Sequence, residues 1–236
     1  MTKIRKKPDR PMAPFYDSQG FFTYNPYLKR MLDEFPERVI NPSDAVALKG
    51  KWQERSKGKP LHLEIGCGKG RFISKYAKTN TDKFTIGIEL KIKRLYLIAK
   101  KLSRVENPDA YVIQFDGSYL DMVFEENELD KVFLFFPDPW FKKERQGHNR
   151  LVTDNFLEMI FKILKPGGRF EMKTDHKEYF PLVVELFENT KFNILRKTED
   201  LHQSPWNEGN IMTEFETLFA GKGKTCQYIL VEKPSV

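Results

Sequence analysis

The sequence predicts an α/β fold: a seven-stranded, mostly parallel sheet with helices on both faces and the last strand antiparallel. Three observations predict it. Apolar, strand-like runs alternate with amphipathic helical ones from Leu61 onward. A glycine-rich loop follows the first run, with Gly66, Gly68 and Gly70 at every second position. The chain of 236 residues is long enough for one such domain with a sizeable core.

Composition narrows the class further. A content of 40% hydrophobic and 14% aromatic residues fits a globular protein. No apolar run approaches the roughly 18 residues that cross a bilayer. The basic start, Met1 to Pro8, leads into no apolar segment, so no secretory signal is expected. The two cysteines, Cys67 and Cys226, are far apart, and a reduced, cytoplasmic setting is the default. A net charge of +7 favours an anionic partner such as nucleic acid. That charge gathers in Lys3–Arg10, Lys49–Lys59, Lys91–Arg104 and Lys142–Arg150.

Residues 1–52 read as an irregular N-terminal arm, basic and aromatic, with a short helix around Leu28–Phe35; residues 53–236 read as the main domain. The first strand is Leu61–Ile65, followed by a helix over Arg71–Lys78. Phe84–Glu89 is a strand and Lys91–Val105 a helix, apolar along Ile92, Leu95, Tyr96, Ala99 and Leu102. Strands over Ala110–Phe115 and Asp130–Phe136 enclose a short segment, Tyr119–Phe124. Thr153 suits the N-cap of a helix over Asp154–Leu164, and Gly167-Gly168 its stop. Arg169–Lys173 is a strand, His176–Glu188 a helix, and Phe192–Arg196 and Gln227–Val231 the last strands. These two have no helix predicted between them, so antiparallel pairing is expected. The linking segment, about 198–224, is too long for a hairpin loop and reads as a functional insertion.

Ligands of parallel sheets bind beyond the C-terminal strand ends. Glycines there let backbone approach a ligand closely. The first four strands deliver Glu64, Glu89, Asp116 and Asp138 to that edge. Glu89 lies about 20 residues past the loop, where a carboxylate takes a ribose diol. A dinucleotide pyrophosphate would meet four negative charges, and the Gly-x-Gly-x-Gly spacing departs from the dinucleotide fingerprint. A cationic, phosphate-free nucleoside suits the site. S-adenosylmethionine offers an ammonium, a sulfonium, a ribose diol and an adenine amine to such acceptors.

Glu64-Ile65-Gly66-Cys67-Gly68-Lys69-Gly70, Ile88-Glu89 and Leu164-Lys165-Pro166-Gly167-Gly168 resemble the class I S-adenosylmethionine-dependent methyltransferases, which have a Rossmann-like fold. Phe136-Pro137-Asp138-Pro139-Trp140-Phe141-Lys142-Lys143, Phe170–Asp175 and Glu208–Glu216 resemble the bacterial tRNA (guanine-N7-)-methyltransferase family. The likeness spans roughly Asn41 to Val231. It implies methylation of guanine 46, in the variable loop of tRNA. It also implies that Glu64, Gly66, Gly68, Gly70, Glu89, Asp116 and Asp138 hold the cofactor. Lys142, Asp175, Thr213, Glu214, Phe215 and Glu216 match the family's substrate-binding positions.

Asp138 is the candidate catalytic residue. It lies between two prolines, which restrict its backbone. Guanine N7 carries a lone pair and no proton, so its methylation needs no general base; alignment and electrostatics supply the acceleration. Three assignments have bland counterparts. Asp116 could cap a turn with Gly117 and Ser118, Trp140 could close the loop from the core, and Glu214 and Glu216 could start a solvated helix. One departure stands out: the run Glu144–Leu151 is less basic than the family pattern, which shifts the expected RNA contacts to Lys91–Arg104 or the arm.

His62, His148, His176 and His202 show no metal-ligand spacing with either cysteine, and no metal is expected. Monomer and homodimer are equally open. Two rival readings share the fold: an RNA exocyclic-amine methyltransferase, and a non-catalytic RNA-binding protein. The intact glycines and acids oppose the second.

Overall fold

A computed structural model describes residues 26–141 and 149–235. Lys142 and most of the 144–150 run therefore lie outside the described residues, as do the first 25 positions.

The chain first forms three short helices, α1 (Pro26–Glu34), α2 (Pro42–Ala47) and α3 (Trp52–Arg55). The first matches the short helix expected around Leu28–Phe35; the other two go beyond that expectation, and all three supply core residues. Leu28 and Met31 of α1 are buried, and Trp52 is fully sealed, its indole N–H donating to the Val123 carbonyl at 2.7 Å. Arg38 is equally committed: its guanidinium donates to the carbonyls of Asn107 at 2.7 Å and Val105 at 2.9 Å. Pro36 and Pro42 break the stretch into pieces too short for a helical period to be read.

The sheet begins with β1 (Leu61–Ile65), then α4 (Arg71–Thr79), β2 (Phe84–Glu89), α5 (Ile92–Leu102) and β3 (Ala110–Gln114). A 3-10 turn over Gly117–Met122 leads to β4 (Leu129–Phe135). Then come α6 (Asp154–Ile163), β5 (Leu164–Thr174), α7 (Tyr179–Glu188) and β6 (Asn193–Thr198). The segment after β6 holds two 3-10 turns and α8 (Glu214–Ala220), and β7 (Gln227–Glu232) ends the sheet. The helix in the last connection is the one considered as an alternative for Glu214 and Glu216; it is a two-turn element that starts in a capping box, Thr213 with Glu216.

The strand order is β3-β2-β1-β4-β5-β7-β6. The first five strands are parallel, and β7 inserts antiparallel between β5 and β6. Every residue of β1 and β2 is buried, as expected for central parallel strands covered on both faces. On the open side of β3, Val39 bridges to Val112 and Ile40 N–H donates to its carbonyl, so the N-terminal helices blunt that edge. Strand order reverses at β1 and β4, which places the ligand-binding switch point between their C-terminal ends.

Candidate functional site

A cleft of about 540 Å³ opens at that switch point. Ile65, Ile88, Phe115 and Leu134 line it with apolar surface, and Glu89, Asp116 and Asp138 supply carboxylates. Gly66 and Gly68 form its backbone wall. Gly68 holds φ at +57°, and a Cβ there would point into open space, so the glycine keeps bare backbone facing the cleft. Gly70 has a different task. Its Cβ would sit 2.9 Å from Ile98, so this glycine lets α5 pack against the start of α4, and it does not line the cleft.

Glu89 is nearly sealed at 5% exposure, yet it borders the cleft. One carboxylate oxygen accepts from the N–H groups of Leu90 and Lys91, both at 3.0 Å. The other accepts from Gly68 N–H at 3.1 Å and faces Arg94 at 3.5 Å. The acid thus ties the glycine loop to the end of β2. Sequence reading missed Arg94 as a cleft residue, because it belongs to the polar face of α5 and carries no motif.

Asp116 does both things considered for it. It caps the turn by accepting from Ser118 N–H at 2.9 Å, and it lines the cleft. Asp138 also lines the cleft. The residues around its two prolines are strained: Phe136 and Trp140 take φ of +53° and +50°, where bulky side chains cost on the order of 1–3 kcal/mol. Arg150 props this loop, donating to the Pro139 carbonyl at 2.8 Å and lying 4.2 Å over the Phe141 ring. Strain held by such supports is a mark of a positioned functional loop.

Glu64 sits under the loop and does not line the cleft. Burial pushes its carboxyl up to about 8, and one of its oxygens has no hydrogen-bond partner. Burial likewise raises the Cys67 thiol well above its ordinary range, so Cys67 is no nucleophile.

Of the substrate-side residues that are described, Phe215 reaches the cleft, 45% exposed. The other four described ones are engaged within the protein. Thr213 caps α8, Glu214 pairs with Lys101 of α5 at 3.0 Å, and Asp175 pairs with Lys224 at 2.6 Å. Glu216 is only 1% exposed. It pairs with the equally buried Lys173 at 3.0 Å, and accepts from Asn210 at 2.7 Å and His202 at 2.9 Å. Burial alone would raise its pKa, but Lys173, Asn210 and His202 outweigh burial and leave it below the ordinary value. Both glutamates do start a helix, but only Glu214 is partly solvated there, and Glu216 is sealed. Linear spacing also hides one grouping: His202, Glu216 and Cys226 place ligand atoms within 4.8 Å of one another. Lys173 already supplies the positive charge at that carboxylate, which opposes a metal cation.

The donors present fit S-adenosylmethionine. Bare glycine backbone, an apolar bed and three carboxylates offer acceptors to the ammonium, sulfonium, ribose diol and adenine amine of such a nucleoside. Sheet order, glycine loop and strand-end acids together define a class I S-adenosylmethionine-dependent methyltransferase. A solved antibiotic-related methyltransferase shares the fold, with TM-score 0.56 and 20% identity over 80% of this chain and 90% of that one. A family model described as "Putative methyltransferase" matches residues 58–228. The tRNA (guanine-N(7)-)-methyltransferase of Brevibacillus brevis is 35% identical over 200 residues, 84% of this chain and 92% of that protein. A bifunctional glycosyltransferase/methyltransferase of Fusobacterium nucleatum is 35% identical over 99% of this chain, which spans 36% of that longer protein. The chain belongs to the tRNA (guanine-N(7)-)-methyltransferase family.

Proposed function

We propose that this protein transfers the methyl group of S-adenosylmethionine to N7 of a guanine in tRNA, at position 46 of the variable loop. The observation that carries the reading is the Pro137-Asp138-Pro139 turn, held between the strained Phe136 and Trp140, which puts a carboxylate on the same cleft as the glycine loop and Glu89. Bound there, the cofactor supplies an electrophilic methyl group on a sulfonium.

Glu89 takes the ribose diol and Asp116 lies toward the adenine, with Gly66 and Gly68 giving way to the rest of the nucleoside. Asp138 acts on charge. Methylation moves positive charge onto the purine, and a carboxylate fixed beside the cleft favours that cation. No residue has to remove a proton, because N7 has none. Phe215 and Trp140, both exposed at the cleft, offer faces on which the base stacks. Lys142 contacts O6 or a phosphate in this reading. Thr213, Glu214 and Glu216 then act through α8, by holding Phe215 in place.

Among the described residues no helix is long and apolar enough to cross a membrane. We place the protein in the cytoplasm, with tRNA, and assign it no metal. The test is incubation with labelled S-adenosylmethionine and two tRNAs, one unmodified and one with its variable-loop guanosine replaced. Label in the first alone, released by reduction and aniline cleavage, is the expected result. Label in both, or in neither, overturns the target.

A further inference from the structure

A second cavity, of about 230 Å³, lies on the same edge of the sheet, lined by Lys177, Phe180, Glu199, Asp200, Thr225 and Gln227, and also by Pro181. Its residues come from the start of α7, the end of β6 and the start of β7, three elements distant in sequence. Gln227 is 2% exposed, and its amide nitrogen donates to the Thr225 hydroxyl at 2.9 Å. Its amide oxygen is buried without a partner. Turning the amide over does not help, since the hydroxyl satisfies only one end of it. Gln227 lines the polar cavity, and a ligand N–H reaching that wall would satisfy its unpaired oxygen.

The lining sets the chemistry of that ligand. Gln227, Glu199 and Asp200 offer acceptors, Lys177 a donor, and Phe180 and Pro181 apolar surface. Two carboxylates disfavour a phosphate in the cavity itself. A guanine edge presents N–H donors beside a carbonyl acceptor, which matches acceptors flanked by one lysine. Position agrees. Gln227 pairs with Thr174 of β5, and β5 neighbours β4, which leads to Asp138. At about 4.8 Å per strand the cavity lies on the order of 10–15 Å from Asp138. The two are also joined mechanically: Phe141, beyond the Asp138 turn, stacks on His176 at 4.6 Å, and His176 precedes Lys177.

We propose that this cavity is a second nucleobase subsite, which takes a guanine of a nucleotide flanking the methylated one. The inference rests on the tRNA reading above. It adds a contact that would select among tRNAs by the neighbours of the target, without touching the cofactor.

The experiment compares wild type with a Lys177→Ala, Glu199→Gln double variant, whose sites are exposed. The substrate is a tRNA carrying guanosines on either side of the target, and a version with those guanosines changed to inosine, which lacks the 2-amino group. The variant should raise KM for the guanosine tRNA about tenfold, leaving kcat and the S-adenosylmethionine Kd within about twofold. Inosine should weaken wild type similarly and leave the variant's KM where it was. An unchanged KM in the variant, or equal inosine penalties in both proteins, overturns the subsite. Absence of N7-methylguanosine from wild type would instead overturn the activity itself, so the two failures are distinct.

Discussion

The Lys173 ammonium lies 3.0 Å from the Glu216 carboxylate, with both side chains almost wholly withdrawn from solvent. The pair joins the end of β5 to the first turn of α8, and α8 carries Phe215 at the cleft. Phe136, at the head of the Asp138 turn, packs 5.9 Å from Phe219 of the same helix. A buried ion pair thus fixes the wall of the cleft opposite the glycine loop.

Breaking it from one side should be costly. Glu216→Ala leaves a buried, unpaired ammonium and should lose about 3–5 kcal/mol of stability in urea denaturation. A Lys173→Met, Glu216→Leu double variant should recover most of that loss. Both should depress kcat/KM for tRNA at least about tenfold with the S-adenosylmethionine Kd little changed, because they unfix α8 and leave the cofactor side intact. Tight tRNA turnover in Glu216→Ala would contradict the positioning role.

Asp138→Asn keeps shape and removes charge. If the carboxylate favours the methylated purine cation, kcat should fall about 100-fold or more. Single-turnover methyl transfer with saturating tRNA is the measurement. A change of less than about twofold would assign Asp138 to loop shape alone.

Two glycines of one loop should fail in different ways. Gly68→Ala puts a methyl into the cleft at a left-handed backbone position, so cofactor affinity should drop at least about tenfold with roughly 1 kcal/mol of stability lost. Gly70→Ala drives a methyl against Ile98 and should cost about 2 kcal/mol or more. Calorimetry and urea denaturation on both variants separate binding from packing. The same ratio of losses in both would remove the distinction.

Glu64 gives stability a pH dependence of known sign. Its pKa rises from an ordinary 4.5 to about 8 in the folded chain. The folded state therefore keeps a proton that the unfolded chain gives up. The contribution is full below 4.5 and is lost as pH rises through 8, at about 1.4 kcal/mol per pH unit between. His62 works in the opposite sense at lower pH: burial drops it from 6.5 to about 4, so its contribution is lost as pH falls through that range. Between pH 6.5 and 8 only Glu64 of the two acts. Wild type should lose about 2 kcal/mol there relative to Glu64→Gln. Parallel pH profiles for the two proteins would refute the buried, protonated carboxyl.

Legibility followed distance along the chain. The glycine loop, Glu89, Asp116 and Asp138 could be read because each sits where a strand ends, and strand ends follow from local alternation. Asp116 shows the limit of such reading, since its capping and its cleft-lining are compatible and the motif could not show both. Glu216 shows a deeper limit. Its partners Lys173 and His202 lie 43 and 14 residues away, and nothing local distinguishes a glutamate that touches substrate from one sealed under it. The helices α2 and α3 were hidden for another reason: pieces of 6 and 4 residues take their order from packing on the sheet and not from their own periodicity.

By itself the sequence determined the sheet, the edge that binds ligand and the cationic character of that ligand, since hydrophobic period and strand-end acids are local properties. Only the tertiary structure decided which acids face the cleft and which are spent on the protein's own cations. That choice depends on burial, and burial is set by which distant elements meet.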